Sequence, residues 1–423
     1  MAVGDSSTAI GKAPSGAFLF TGVENSRPLA DTVGVTLNMH NADIAFAALL
    51  CMFMLGCATV PPSLDAEAIT EEMLLAGAPF AAEPGDIPPI HDSAVLALDP
   101  RMQVFLDRYV NPRDGDYIKL QQLVYAMLNE GTFGLDYDDR TRTAAETYRV
   151  GRGNCLSFTN MFVAMAREVG LDVHYQEVDI PPDWTQQGDT FVLNRHVNAH
   201  VDLGLAGEHV VDFNLDDFKA SYERRIVSDR RAMAHYYNNI GVERMQAGES
   251  AAAFAYFRKA LADNDSRFAP AWANLGTLYR REGYLAYAEA SYHQALKVNP
   301  KDSVAMSNLA GLYDARGDAE QAAYYRDRVT YHRRRNPYYR YQLAREAFLA
   351  QEYHDAISHL KYAIRKRETE DAFFFLLGLS YLQTGDRQAA RRWLEKAEAV
   401  AADDRLKRNY QSKLDMLLSS SKR

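Results

Sequence analysis

From about residue 234 onward the chain repeats itself every 34 residues. A period of this length marks a two-helix unit that cannot bury its own apolar face, so successive units must stack into a helical solenoid. The clearest unit begins at Ala269 and puts Trp272, Leu275, Gly276, Tyr279, Ala288, Tyr292, Ala295 and Pro300 at positions 4, 7, 8, 11, 20, 24, 27 and 32. An earlier unit begins near Ala234, with Tyr237, Ile240, Gly241, Ala253, Phe257 and Ala260. Later ones begin near Ser303, Pro337 and Asp371. The starts are 35, 34, 34 and 34 residues apart, so the first unit carries one extra residue, expected in the turn 264–270. Small residues at positions 8, 20 and 27 let helices approach closely, and the large ones fill the space between them. About five units exceed the three such a stack needs. A polar-faced helix over 401–418 is expected to cap it, giving an all-α solenoid over 232–418.

These positions resemble the tetratricopeptide (TPR) pattern. The resemblance implies a concave groove that binds a protein or peptide partner. Asn239, Asn274 and Asn308 share position 6, where an asparagine could hold a peptide backbone. Asparagine is common there, however, and packing is the expected role. The basic-aromatic cluster HRRRNPYYRY at 332–341 is read as a solvated helix end, broken at Asn336-Pro337.

The middle segment, 95–225, mixes helical and strand patterns. Apolar spacing predicts a helix over 116–130 and another over 159–169, the latter with Phe158, Met161, Phe162, Met165 and Val169 on one face. Immediately before that second helix stands Gly151-Arg152-Gly153-Asn154-Cys155. A cysteine at a helix start lies among unpaired N–H groups at the positive dipole end, which favours the thiolate and nucleophilic chemistry. Downstream, 171–178 and 191–203 read as strands. In the second, His196, Asn198, His200 and Asp202 share a face by period two. A further strand over 208–214 passes Asp212.

Asn154-Cys155, the strand-borne His196-Val197-Asn198-Ala199 and Val211-Asp212-Phe213-Asn214 resemble, in order and spacing, the transglutaminase-like superfamily. That resemblance covers roughly 105–220 and implies an α+β papain-like core with a catalytic Cys155-His196-Asp212 triad. His200, on the same face, is the alternative base. His174 and His209 are read as ordinary sheet residues. The pattern departs from the family at Asn198, where an aromatic is usual, at Ala199 for valine and at Phe213 for proline. The backbone N–H of Cys155 is the natural oxyanion donor, and Gln121 and Gln122 are candidates for a second. Trp184 and Asp189 are expected near the cleft.

The start of the chain carries a different signal. Residues 1–38 have no helical or strand period and read as disordered or as an upstream extension, with Met39 a plausible start. Residues 44–56 form a thirteen-residue uncharged run. A spanning helix needs about 20 residues, so the run is too short for one but suits a secretory signal. It ends in Met54-Leu55-Gly56-Cys57-Ala58, which resembles the lipobox of bacterial lipoproteins. The resemblance implies a lipid anchor on Cys57, with Ala58 favouring the outer membrane. Residues 58–94 read as a linker, with a short helix in 65–76.

Composition narrows the functions. Lys plus Arg number 47 and Asp plus Glu 56, a net charge of −9, so no nucleic-acid partner is expected. Three cysteines, Cys51, Cys57 and Cys155, exclude a disulfide framework and a multi-cysteine zinc site. No cluster has metal-ligand spacing, and no metal or other cofactor is expected. The sequence therefore points to an exported, lipid-anchored thiol enzyme acting on amide bonds, by hydrolysis or acyl transfer, whose solenoid recruits a protein partner. The alternative is a catalytically inactive envelope scaffold.

Overall fold

Five antiparallel helix pairs fill the repeat region in the computed structural model, which describes residues 65–80, 92–128, 135–179, 184–187, 190–193, 196–213, 223–401 and, in part, 407–414. Cys51, Cys57, the apolar run 44–56, Asp189 and Asn214 lie outside the described residues. Among the described residues, no helix is long and apolar enough to cross a membrane.

The segment ahead of the repeats holds α1 (Glu71–Ala76), α2 (Pro100–Tyr109), α3 (Asp116–Leu128), α4 (Ala144–Val150) and α5 (Cys155–Glu168). Six strands follow: β1 (Asp172–Asp179), β2 (Trp184–Gln187), β3 (Thr190–Leu193), β4 (His196–Asp202), β5 (Glu208–Val211) and β6 (Glu223–Val227). The main sheet is antiparallel in the order β5-β4-β1-β6. The stretch 191–203, expected as one strand, is two. Its first part pairs with β2 in a separate hairpin, and only the part from His196 enters the main sheet. Helix α5 lies against the sheet, where the Tyr175 hydroxyl donates to Asn160 at 2.8 Å.

The solenoid pairs are α6 (Asp229–Gln246) with α7 (Ser250–Arg258), α8 (Ala269–Arg281) with α9 (Leu285–Val298), α10 (Ser303–Arg316) with α11 (Ala319–Arg335), α12 (Pro337–Leu349) with α13 (Tyr353–Lys366), and α14 (Asp371–Gln383) with α15 (Arg387–Val400). Their close approach explains the small residues. A Cβ on Gly276 would lie 2.7 Å from the ring of Tyr292, the position-24 residue of the same unit. The extra residue of the first unit is not in the turn after it. Helix α7 runs on as a π-helix over Lys259–Asn264, and the wider turn absorbs the insertion. Asn336 caps α12, accepting from Tyr338 N–H at 2.8 Å, which is how Asn336-Pro337 separates the third unit from the fourth. Beyond α15, Tyr410 and Leu414 are buried on the last pair, and Tyr410 donates to Asp371 at 2.8 Å.

Asn274 and Asn308 serve packing between units. Asn274 donates to Asn238 at 2.9 Å, and Asn308, fully buried, donates to Thr277 at 3.4 Å. Residues 65–80, read as part of a linker, pack on the first two units. Tyr279 donates to the Leu74 carbonyl at 2.7 Å, and Phe80 stacks on Phe254 with ring centroids 5.1 Å apart.

One apolar core runs from Ile69 through the sheet and into the third repeat at Val329, and a second begins at Ala344. The sheet and the solenoid are therefore packed as one body from Ala66 onward. Glu177 on β1 is the polar pin of this junction. It accepts from Arg231 at 2.6 Å and meets His235 Nε2 at 2.7 Å, both on α6, and it also pairs with Arg225. Burial alone would raise its carboxyl, but His235 and Arg231 outweigh that and hold it well below the ordinary 4.5. The stabilisation is therefore present above pH 4.5 and lost as pH falls through the lowered value. Removing one partner of a buried ionic cluster costs about 3 kcal/mol. Glu177→Gln should lower the denaturant-unfolding free energy by about that much at pH 7. The gap to the unsubstituted protein should narrow at acid pH; equal stability at pH 7 would contradict the pin.

Candidate active site

The turn before Cys155 is built for close packing. Gly151 ends α4 in the left-handed conformation at φ 66°. Gly153 passes so near Ser157 that a Cβ there would lie 2.6 Å from the serine Cβ. Asn154 then caps α5, its side chain accepting from Ser157 N–H at 2.9 Å, a contact worth about 1 kcal/mol. Cys155 is thus the first helical residue, half-buried and a free thiol, among N–H groups with no intrahelical partner. The Thr159 hydroxyl lies 2.8 Å from the Cys155 carbonyl and 3.2 Å from that of Val197, tying the first turn of α5 to the start of β4.

His196 opens β4. Its Nε2 lies 2.8 and 2.7 Å from the two carboxylate oxygens of Asp212, and both side chains are buried, 6% and 3% exposed. The Cys155 side chain also favours the charged ring. Burial alone would lower the imidazole. The hydrogen bonds to Asp212 and the influence of Cys155 outweigh it and push His196 up from 6.5 to about 9, so the ring carries its proton at neutral pH.

The register of the sheet explains who surrounds this group. His196, Asn198 and His200 share one face of β4, opposite Val178, Gln176 and His174 of β1. Asn198 Nδ2 donates to Asp212 Oδ2 at 2.8 Å and is wholly buried. The family departure at Asn198 is therefore a second anchor for the carboxylate. Arg224, which faces the same side through the Val178 pairing, interacts electrostatically with Asp212. Neither role was singled out from sequence. The available signal was a polar residue two along from His196 on a strand otherwise apolar on its alternate positions. Phe213, the other departure, packs on α5 against Phe158 and Phe162, with ring centroids 5.8 and 6.2 Å away.

The remaining candidates lie elsewhere. His200 is buried four residues along, ~13 Å by strand rise, opposite His174. His174 pairs with Asp172 at 3.0 Å, and the His209 ring lies tilted against Tyr117 with centroids 5.7 Å apart. Gln122 accepts from Asn111 N–H at 2.9 Å and donates to Asp114 at 2.7 Å, fastening the loop before α3. Gln121 donates to the Tyr117 hydroxyl at 2.9 Å. Neither glutamine is brought to Cys155 by these bonds. Among the described residues, no three His, Cys, Asp or Glu side chains form a metal-binding group.

The family model of the transglutaminase-like superfamily matches residues 105–207, and that of the tetratricopeptide repeat matches 234–262, 269–302 and 372–404. The chain carries a transglutaminase-like core domain followed by TPR repeats. Cys155 and His196 fall inside the first match and Asp212 beyond its end, so the third member stands on the geometry alone. The helix pairs beginning at Ser303 and Pro337 lie outside the repeat matches, yet fold as the others do.

"Uncharacterized protein ycf37" of Pyropia yezoensis is 36% identical over 67 residues, which is 16% of this chain and 38% of that one. The chain thus spans well under half of that relative. Among solved structures, YrrB, described as a TPR protein with an unusual peptide-binding site, is 20% identical over 42% of this chain and 92% of its own, with a TM-score of 0.22. PilF of Pseudomonas aeruginosa is 17% identical over 46% and 93%, with a TM-score of 0.24.

The raised His196 has a measurable consequence. Its stabilisation is whole below pH 6.5 and is lost as pH rises through about 9. The unfolding free energy of Asp212→Asn should fall below that of the unsubstituted protein at pH 6.5, and the gap should close as pH passes about 9. A gap independent of pH would mean that Asp212 does not hold the imidazolium.

Proposed function

We propose that this chain is an exported, lipid-anchored thiol enzyme acting on amide bonds, with the solenoid recruiting its protein partner. The transglutaminase-like domain and the TPR repeats support a protein-interaction role. The enzymatic reading is carried by one observation: the buried His196 ring is hydrogen-bonded to the Asp212 carboxylate, and Asp212 and Cys155 together push it up to about 9.

The chemistry follows from those atoms. The Cys155 sulfur, facing an imidazolium and a helix N-terminus, attacks the amide carbonyl carbon as a thiolate. The carbonyl electrons move to oxygen, where the Cys155 N–H stabilises the charge. As the oxyanion collapses, the C–N bond breaks and His196 gives its proton to the departing amine. That leaves a thioester and a neutral ring. Water or a second amine then attacks the thioester, His196 takes the proton of that nucleophile, and the thiolate departs. Asp212, held by Asn198, keeps the ring oriented and stabilises its charge in both halves. Water yields a peptidase or amidase, and an amine yields transamidation.

Turnover of amide substrates should vanish in Cys155→Ala, and so should thiol-probe labelling of the peptide that carries residue 155. His196→Ala should lose about 10²- to 10⁴-fold in rate. Unchanged turnover in Cys155→Ala would leave the inactive scaffold as the reading. Export and anchoring rest on the 44–58 stretch alone. Radiolabelled fatty acid should mark the protein made in a bacterial host and be absent from Cys57→Ser; labelling that persists in the variant would overturn the anchor.

A further inference from the structure

The turn that delivers Cys155 is not held by its own domain alone. Asn154, the cap of α5, uses its two amide ends differently. Its Oδ1 accepts from the N–H and the hydroxyl of Ser157, both at 2.9 Å. Its Nδ2 donates to the Thr141 hydroxyl at 2.7 Å. Thr141 is buried and is tied to Glu243 on α6. Its backbone N–H donates to Oε1 at 2.7 Å. The direction of each bond is therefore set. Asn154 donates to Thr141, Thr141 donates to Glu243, and the carboxylate, which can only accept, ends the relay.

We infer that Glu243 is a positioning residue for the nucleophile: a carboxylate from the first solenoid helix fixes Thr141, which fixes the cap of the helix that begins at Cys155. The inference rests on the proposal that Cys155 is the nucleophile.

Two observations separate this role from simple adhesion between sheet and solenoid. The adhesion is supplied elsewhere, by Glu177 with Arg231 and His235, and by Arg167 with Asp229 at 2.6 and 2.9 Å. Glu243 also fills no packed interior. It lines a cavity of about 330 Å³ with Arg140, Glu146, Arg149, Tyr236 and Tyr256, so shortening it enlarges an existing space. Burial pushes its carboxyl up and the Thr141 bonds pull against that, as for a group kept where its hydrogen bonds are needed.

The test is the rate at which iodoacetamide alkylates Cys155 in the full chain. Peptide mapping reads that site apart from Cys51 and Cys57. Glu243→Ala should slow Cys155 alkylation about fivefold, the net effect of one ordinary hydrogen bond. Thr141→Val keeps the backbone N–H but removes the hydroxyl link to Asn154, and it should slow the reaction similarly. Glu243→Gln retains a carbonyl acceptor and should restore most of the rate. His196→Ala is measured beside them. If His196→Ala is slowed while Glu243→Ala and Thr141→Val react at the unsubstituted rate, the positioning role is overturned and the active-site reading stands. If His196→Ala also reacts at the unsubstituted rate, the active-site reading fails and takes this inference with it. Should Glu243→Ala fail to fold, Thr141→Val decides alone, and an unchanged rate there overturns the proposal.

Discussion

The contact between His196 and Asp212 governs the site. Two side chains of opposite charge are taken out of water together, which is costly unless every remaining lone pair and proton finds a partner. The chain meets that demand on both sides. Asn198 gives the carboxylate a second donor, and Cys155 adds to the pull that keeps the ring charged. The same burial that makes the pair expensive keeps its interaction strong, so the ring holds its proton up to about pH 9. Cys155 and the buried ion pair are thus one electrostatic unit drawn from a helix start, the start of β4 and the residue after β5.

That unit depends on how the sheet joins the solenoid. In many multi-domain chains a linker separates the reacting domain from its binding module. Here β6 ends at Val227 and Ser228 at once caps α6. The apolar core is continuous across the join, and Glu177 closes it with side chains from both parts. The first repeat is therefore as much a part of the transglutaminase-like fold as of the repeat array, while the last two pairs have their own core.

What could be read in advance follows from where the determining interactions lie along the chain. The repeats were legible because each unit repeats the same packing problem, as Gly276 against Tyr292 illustrates. The start of α5 was legible because Asn154 and Cys155 signal a cap locally. Residues whose partners are distant were not. Glu177 meets His235 58 residues on, and Thr141 meets Glu243 102 residues on. The run 191–203 alternates like a single strand, and only tertiary pairing shows that it divides near His196. Strand β6, with two arginines in its five residues, has too little apolar alternation to stand out. Asn198 registered only as a departure from a family pattern, because its meaning lies in the Asp212 carboxylate beside it.

The protonation state of His196 is where fold and chemistry meet, and it can be observed directly by following the ring nitrogens of His196 by NMR through a pH titration of the folded protein. The geometry predicts an imidazolium that persists through neutrality and loses its proton near pH 9. A ring that titrates at or below 6.5 would show that Asp212 and Cys155 do not hold its proton, and the proposed site would fall with it.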